Sequence, residues 1–271
     1  MFKTTKTGDL RSILDLVSLK GKRALITGSA TGIGKAIAFR FAEAEAALEL
    51  VDINEEMLRK TKDELTKFNV EINIHRIDLF KKNEIISLWE KLSKKEPDIL
   101  VNNAGIYPFK NFLEIDEAFL EKVMKITFCS VFWMCQHIVR GRMGKGGVII
   151  NIGSIEAILP FKEDLTHYNS SKAAVIALTR ALAKDYGKEV FRINAIIPGG
   201  IITSGTKNAA KEILKLNFGL IKTGIDFKNG LPLGKFGQPD EVALMALVLA
   251  SDLSSYVHGS LIPVDGGFLS A

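Results

Sequence analysis

A tyrosine and a lysine stand four positions apart, at Tyr168 and Lys172. On a helix, side chains at this spacing lie on the same face. A lysine ammonium beside a phenol favours the phenolate, and lowering the phenol pKa of about 10 by about two units raises the phenolate fraction about a hundredfold at neutral pH. Ser154, 14 residues before Tyr168, follows an apolar run and can bind the same substrate oxygen. The three side chains predict proton transfer to or from that oxygen, although such a pair also occurs on ordinary surface helices.

A glycine-rich turn near the start of the chain is the second chemical signal. The apolar run 23–27 predicts a buried strand, Gly28, Gly32 and Gly34 follow it, and residues up to Ala44 have a helical pattern. Glycine lets the backbone approach a pyrophosphate, and the helix N-terminus offers free N–H groups to its charges. The turn predicts a dinucleotide site, and an ordinary tight strand-to-helix turn is the alternative.

The elements that must position these residues alternate between strand and helix along the chain. Several predicted strands are continuous apolar runs, which is typical of strands buried on both faces of a parallel sheet. We therefore predict an α/β fold, a single-domain Rossmann-type doubly wound parallel sheet of about seven strands with helices on both faces. The predicted strands are 23–27, 47–51, 72–77, 99–101, 148–152, 191–197 and 261–264, and the later helices are 55–68, 81–95, 117–143, 166–186 and 239–250.

The predicted domain organisation is simple. Residues 1–20 form a leader with helical spacing of apolar residues from Leu10 to Val17, and residues 21–271 form one catalytic domain. Within that domain, the irregular segment of about 203–235 is expected to be a substrate loop with a helical piece around 209–218. Ligands of such sheets bind at the carboxyl ends of the strands.

The motifs together resemble those of the short-chain dehydrogenase/reductase family. The matching stretches are Thr-Gly-x-x-x-Gly-Ile-Gly at 27–34, Asn-Asn-Ala-Gly at 102–105, Ser154 with Tyr168-x-x-x-Lys172, and Pro-Gly-x-Ile-x-Thr at 198–203. The resemblance spans about 21–268. It implies hydride transfer between a nicotinamide cofactor and an alcohol or carbonyl compound. The small-molecule substrate would meet Tyr168 as general acid/base, Ser154 and Glu156, while Lys172 would lower the pKa of Tyr168.

The resemblance also implies a set of cofactor contacts at the strand ends. They are Gly28, Thr31, Gly32, Ile33, Gly34, Asp52, Asp78, Leu79, Asn103, Ala104, Gly105, Tyr168, Lys172, Pro198, Gly199, Ile201 and Thr203.

Asp52, 18 residues after Gly34, bears on the choice of cofactor. A carboxylate there accepts the ribose hydroxyls of NAD and repels the 2′-phosphate of NADP. Ile53 follows it, and no arginine stands next to it in the sequence. We therefore predict NAD over NADP. Asp52 as a simple turn residue, and Asp78 as a helix N-cap, are the alternatives.

Thr127 departs from the family pattern, which has an asparagine in its place. In the family, the main-chain carbonyl of that asparagine, at a helix irregularity, holds a water linked to the catalytic lysine. Threonine keeps the carbonyl, and its hydroxyl is expected to bond back to the previous turn and bend the helix. Our hypothesis is that Thr127 maintains a modified proton relay as a fourth catalytic residue.

The remaining composition limits the partners. The formal charge of +5 is spread without a basic stripe, which argues against nucleic acid, and no apolar run is long enough for a membrane span. No residues have metal-ligand spacing. We expect a cytoplasmic protein, and the resemblance implies a homotetramer, in keeping with apolar helix faces at 131–138 and 243–249.

The substrate is not determined by the sequence. A pocket of Ile106, Tyr107, Glu156, Phe161 and residues 204–231 leaves a sugar, a polyol and a 3-oxoacyl thioester open. Two rival functions also remain, a 3-oxoacyl-thioester reductase using NADPH and a catalytically silent dinucleotide-binding sensor.

Overall fold

The computed structural model describes residues 10–203 and 230–271. Residues 1–9 of the leader, most of the expected substrate loop 203–235 and its helical piece 209–218 lie outside the described residues. Of the leader, the model describes a short helix α1 (Ile13–Val17), capped by the Ser12 hydroxyl, which accepts from the Asp15 N–H.

A seven-stranded parallel sheet forms the centre of the molecule, as predicted. The strands are arranged in the order β3-β2-β1-β4-β5-β6-β7. The order reverses between β1 and β4, and ligands of open α/β sheets bind at such a reversal. The strands are β1 (Arg23–Thr27), β2 (Ala47–Asp52), β3 (Ile72–Arg76), β4 (Ile99–Asn102), β5 (Gly147–Ile152), β6 (Phe191–Pro198) and β7 (Leu261–Val264).

Helices cover both faces of the sheet, and two of them have the predicted ends. They are α2 (Gly32–Glu43), α3 (Glu55–Leu65), α4 (Lys82–Leu92), α5 (Glu117–Met124), α6 (Ser130–Gly141), α7 (Thr166–Tyr186) and α8 (Pro239–Ala250). The single helix predicted over 117–143 is wrong in detail, because a π-helical turn, Lys125–Cys129, separates α5 from α6. Thr127 lies within this turn.

The core has two layers because consecutive strand residues point to opposite faces of the sheet. Ile26 packs with α2, α3 and α8 on one face, and Leu25 packs with α4, α6 and α7 on the other. Both side chains are fully buried. Burial on both faces explains the continuous apolar runs, and each such side chain contributes about 1.5 to 3 kcal/mol.

Strand β2 carries one buried charge, Glu49, which is 1% exposed. Its carboxylate accepts hydrogen bonds from Arg23 and from Asn73 Nδ2 (3.1 Å), and lies 2.7 Å from His75 Nε2. Burial alone would raise the pKa of Glu49, but these partners hold it below its ordinary value. The cluster ties β1, β2 and β3 together on one face of the sheet.

Candidate active site

The glycine turn after β1 leaves no room for side chains. A Cβ on Gly34 would lie 2.1 Å from the carbonyl oxygen of Gly28, and one on Gly28 would lie 2.9 Å from Ala104 Cα. Gly28 and Gly32 have φ values of +63° and +58°, which L side chains rarely adopt. The turn is followed by α2, which has Thr31 as its N-cap and Ile33 in its first turn, and free N–H groups at a helix N-terminus suit an anion.

Asn103 joins the glycine turn to the loop after β4. Its Nδ2 donates to the carbonyl oxygens of Thr27 and Gly28, both at 3.0 Å. In return, the Thr27 hydroxyl accepts from the N–H groups of Asn103 (3.0 Å) and Ala104 (3.1 Å). The structure thus brings together two stretches that the sequence assigned to one site.

Asp52 ends β2 beside the glycine turn. Its carboxylate accepts from the N–H groups of Ala30 (3.1 Å) and Asn54 (3.0 Å), so it also organises the turn. Strand pairing places Arg76 of β3 in register with Asp52. No arginine adjoins Asp52 in the sequence, but in the fold the neighbouring strand β3 places Arg76 beside it.

Asp78 and Leu79 follow β3 in a tight turn. The Asp78 carboxylate accepts from the Phe80 N–H at 3.1 Å, and the Asp78 N–H donates to Glu84 at 2.7 Å. Leu79 is buried against the core. The Asp78 carboxylate therefore stabilises this turn, but the alternative that Asp78 is a helix N-cap is wrong, because Lys81 is the N-cap of α4. Its place beside the cofactor stays a prediction.

Lys172 and Tyr168 lie one turn apart on α7, as predicted. Lys172 Nζ donates to the carbonyl oxygen of Ile152 at 2.7 Å and lies 5.9 Å from the centre of the Tyr168 ring. Burial lowers the pKa of Lys172 to about 8. At neutral pH the buried lysine is therefore still mainly an ammonium.

Burial raises the pKa of Tyr168 to about 12, and its hydrogen bond with the Ser154 hydroxyl opposes this shift. This corrects the expectation that Lys172 leaves the phenol with a lowered pKa. Removal of the phenolate from water is the largest cause of the raised pKa, and the nearby Glu156 charge adds to it. Ser154 follows β5 and also accepts from the Glu156 N–H at 3.2 Å, which fixes its hydroxyl at the edge of the sheet.

Thr127 is fully buried in the π turn, facing Lys172 across Gly105. A Cβ on Gly105 would lie 3.7 Å from both Lys172 Nζ and Thr127 Cγ2. Among the described residues, the Thr127 hydroxyl has no hydrogen-bond partner, so the expected bond to the preceding turn is wrong. Ser130 makes that kind of bond instead, to the Ile126 carbonyl at 2.6 Å. The helix irregularity itself is present.

The segment after β6 closes the site opposite the glycine turn. Pro198 ends the strand, and a Cβ on Gly199 would lie 2.7 Å from Asp265 Cα. Ile201 pairs with Gly237 through a parallel bridge. The Thr203 side chain lies next to the glycine turn, since a Cβ on Gly32 would be 3.4 Å from it.

Tyr107 and Glu156 line the side of the site next to Tyr168. The Tyr107 and Tyr168 rings meet edge to face with centroids 4.6 Å apart. The Tyr107 hydroxyl donates to Glu156 Oε1 at 3.4 Å, and the Phe161 N–H donates to Oε2 at 3.2 Å. Burial raises the pKa values of both Tyr107 and Glu156.

Sequence reasoning missed Lys162, whose ammonium lies 5.4 Å from the centre of the Tyr107 ring. No motif contains this lysine, and its position next to the predicted pocket residue Phe161 was the one available signal. It also missed the role of His167, which is buried and has Nε2 2.8 Å from the Pro108 carbonyl oxygen. This contact ties the loop carrying Tyr107 to the first turn of α7.

Comparison with known proteins shows the family to which the chain belongs. The model of a family described as enoyl-(acyl carrier protein) reductase matches residues 28–269. The chain belongs to the short-chain dehydrogenase/reductase family. It is 33% identical over 254 residues to the 3-oxoacyl-[acyl-carrier-protein] reductase of Chlamydia pneumoniae, covering 93% of this chain and 98% of the relative.

Two other members of the family act on polyols or sugars according to their names. The NAD-dependent glycerol dehydrogenase of Listeria innocua is 33% identical over 256 residues, covering 93% of this chain and 95% of the relative. The crystal structure of L-sorbose reductase from Gluconobacter frateurii, complexed with NADPH and L-sorbose, has a TM-score of 0.87 and 31% identity, covering 94% of this chain and 99% of that chain. Membership makes this chain an oxidoreductase of the family and leaves its cofactor and substrate open.

In residues 10–203 and 230–271, no helix combines the length and apolar character of a membrane span. In the same part of the chain, no three histidine, cysteine or acidic side chains are grouped as a metal site.

Proposed function

We propose that this protein transfers a hydride between NAD(H) and an alcohol or carbonyl substrate. The carrying observation is that Ser154, Tyr168 and Lys172 meet at the carboxyl edge of the sheet, the edge that also holds the glycine turn. The phenol has a hydrogen-bonded hydroxyl on one side and a buried ammonium nearby. This is the arrangement needed to move a proton at a substrate oxygen.

The strand ends fit a dinucleotide. The glycine turn packs against Asn103 and Ala104 without room for a Cβ at Gly28 or Gly34, and it leads into the N-terminus of α2. The pyrophosphate of the dinucleotide would bind at the N-terminus of α2. Asp52 would lie at the adenosine ribose, and Lys172 and Thr203 at the nicotinamide half. When bound, the cofactor supplies or accepts the hydride.

The titration behaviour of Tyr168 indicates how the protein moves the proton. With a pKa raised to about 12, Tyr168 holds its proton at neutral pH and can donate it to the oxygen of a carbonyl undergoing reduction. Ser154 would hold that oxygen. In the direction of alcohol oxidation, the same phenol must first lose its proton, which the Lys172 ammonium favours.

The preference for NAD is supported by Asp52, since two like charges about 4 Å apart at an effective dielectric near 20 repel by about 4 kcal/mol. Arg76, in register with Asp52, favours the second candidate, an NADPH-dependent 3-oxoacyl-thioester reductase. An arginine at this point can pair with a 2′-phosphate. The named relatives include both chemistries.

Tyr168→Phe tests the proposed function, with Tyr186→Phe at the far end of α7 as the matched control. NADH and NADPH are titrated by nicotinamide fluorescence, and turnover is followed at the nicotinamide absorbance with polyols, sugars, secondary alcohols and 3-oxoacyl esters. We expect Tyr168→Phe to lose turnover by at least a hundredfold while it keeps cofactor affinity.

Tight NADPH binding with turnover of the 3-oxoacyl ester would favour the second candidate. Cofactor binding without turnover that depends on Tyr168 would favour the silent sensor and contradict the proposal. The homotetramer stays a prediction; the exposed Phe132 and Leu244 lie in the apolar segments assigned to it.

A further inference from the structure

A buried carboxylate lies beside the proposed proton-transfer pair without a part in proton transfer. Glu156 is 2% exposed and stands in the short 3₁₀ turn Ile155–Ala157 that begins at Ser154. Its charge is close enough to Tyr168 to raise the pKa of that phenol. We propose that Glu156 and Tyr107 form a hydroxyl-binding subsite, so that the substrate is a polyhydroxylated alcohol or ketone with a hydroxyl one or two carbons from the reacting carbon.

The two oxygens of Glu156 are unequally satisfied. Oε2 accepts from the Phe161 N–H at 3.2 Å, and the Lys162 N–H also bonds to the carboxylate. Oε1 accepts from the Tyr107 hydroxyl at the long distance of 3.4 Å. Since a carboxylate offers about four acceptor positions, Oε1 can accept a further donor.

The position of the subsite follows from its neighbours. The Tyr107 ring packs edge to face on Tyr168, and Ser154 is bonded to the Glu156 N–H. A substrate oxygen held by Ser154 and Tyr168 therefore lies next to the Tyr107–Glu156 pair. A second oxygen close to it on the carbon chain is the group that this pair would meet.

The carboxylate of Glu156 favours a substrate group that donates a hydrogen bond. Burial raises the pKa of Glu156 because a carboxylate loses water there, and a hydroxyl donor from the substrate would replace that water. A site built to bond a hydroxyl discriminates strongly against an analogue that lacks it, because its polar groups are left unpaired. A 3-oxoacyl thioester brings a second carbonyl, which is another acceptor, and so fits poorly.

This inference rests on the proposed function, because that function places the reacting oxygen at Ser154 and Tyr168. The test compares cyclohexanol with 1,2- and 1,3-cyclohexanediol. Each diol has the ring of cyclohexanol and one additional hydroxyl. Each alcohol is titrated into the protein saturated with NADH, where no hydride transfer can occur, and binding is followed by nicotinamide fluorescence. Glu156→Gln and Tyr107→Phe are measured beside Glu163→Gln, an exposed glutamate nearby in the sequence.

We expect at least one diol to bind at least tenfold more tightly than cyclohexanol in the native protein and in Glu163→Gln. The ratio should fall at least fivefold in Glu156→Gln and about threefold in Tyr107→Phe. Equal binding of cyclohexanol and both diols by the native protein would overturn the subsite. So would an unchanged ratio in both variants, since a residue that only supports the loop would alter stability and not this ratio.

Turnover of the same alcohols with NAD⁺ separates the two proposals. A changed binding ratio with no turnover that depends on Tyr168 would support the subsite and contradict the proposed function. Turnover that depends on Tyr168, with a ratio that Glu156→Gln leaves unchanged, would support the function and overturn the subsite.

Discussion

The ammonium of Lys172 is bonded to the carbonyl oxygen of Ile152, 2.7 Å away at the end of β5. This bond crosses from helix to sheet and fixes the lysine below the Tyr168 ring. The position has an energetic cost, because burial lowers the pKa of Lys172 from 10.5 to about 8. The folded chain therefore binds fewer protons than the unfolded chain between these two pH values.

The free energy of unfolding should rise with pH between about 8 and 10.5 because of Lys172, by up to about 1.4 kcal/mol per pH unit. Lys172→Met should remove this slope and abolish most turnover. Urea unfolding at several pH values measures it. Lys184→Met, which changes an exposed lysine of the same helix, should keep the slope. An equal slope in all three proteins would contradict the burial of an ionised Lys172.

Substitution of Asp52 should change the preference between NADH and NADPH. Asp52→Asn removes the charge that repels a 2′-phosphate, so the ratio of NADPH to NADH dissociation constants should fall at least tenfold. Arg76→Ala should move the ratio the other way by weakening NADPH binding, because the pairing of β2 and β3 places Arg76 beside Asp52. Fluorescence titration of both cofactors gives the ratio. A native protein that binds NADPH more tightly would mean that Arg76 outweighs Asp52.

The buried hydroxyl of Thr127 should reduce stability, because it has no hydrogen-bond partner among residues 10–203 and 230–271. Thr127→Val keeps the shape and removes that hydroxyl, so the free energy of unfolding should increase by about 1 kcal/mol. Thr127→Asn introduces the family residue, and we expect it to raise turnover by less than tenfold. A much larger increase would show that the native proton relay is impaired. Chemical unfolding and steady-state kinetics measure the two effects.

Loss of Glu49 should be costly. Glu49→Gln leaves Arg23 without its buried counter-charge and alters the contact with His75, and breaking such a cluster costs about 3 kcal/mol. Since the folded pKa of Glu49 is lowered, its contribution is present above the unfolded pKa and is lost as the pH falls through the folded value. Glu64→Gln, at the exposed pair with Lys35, should cost less than about 1 kcal/mol. Equal losses of unfolding free energy in Glu49→Gln and Glu64→Gln would contradict the role of the buried cluster.

The strands and most helices could be predicted because the spacing of apolar residues along the chain indicates which side chains are buried. Helix α7 and strand β7 have the predicted ends, since apolar spacing and flanking turn residues mark them. The apolar spacing of residues 117–143 is compatible with one continuous helix, so it does not show the π turn. The irregularity at Thr127 is expected only from the resemblance to the family.

The candidate site was predictable where a motif fixes the spacing within one element, as in the glycine turn and on α7. It was not predictable where separate elements meet. The register of β2 and β3 brings Arg76 beside Asp52, and the loop after β5 brings Lys162 near Tyr107. The pKa of Tyr168 depends on burial from all sides, which no pair of residues reveals.

The π turn accommodates an additional residue between two helices. It holds about one residue more than an α turn, so removing one residue from Lys125–Cys129 would let α5 and α6 join as one regular α-helix without rotating α6 about its axis. Met134 and Ile138 would then keep their places in the core. The same deletion within the regular turns of α6 would rotate the residues that follow by about 100°. A one-residue deletion should therefore be tolerated better in the π turn than within α6.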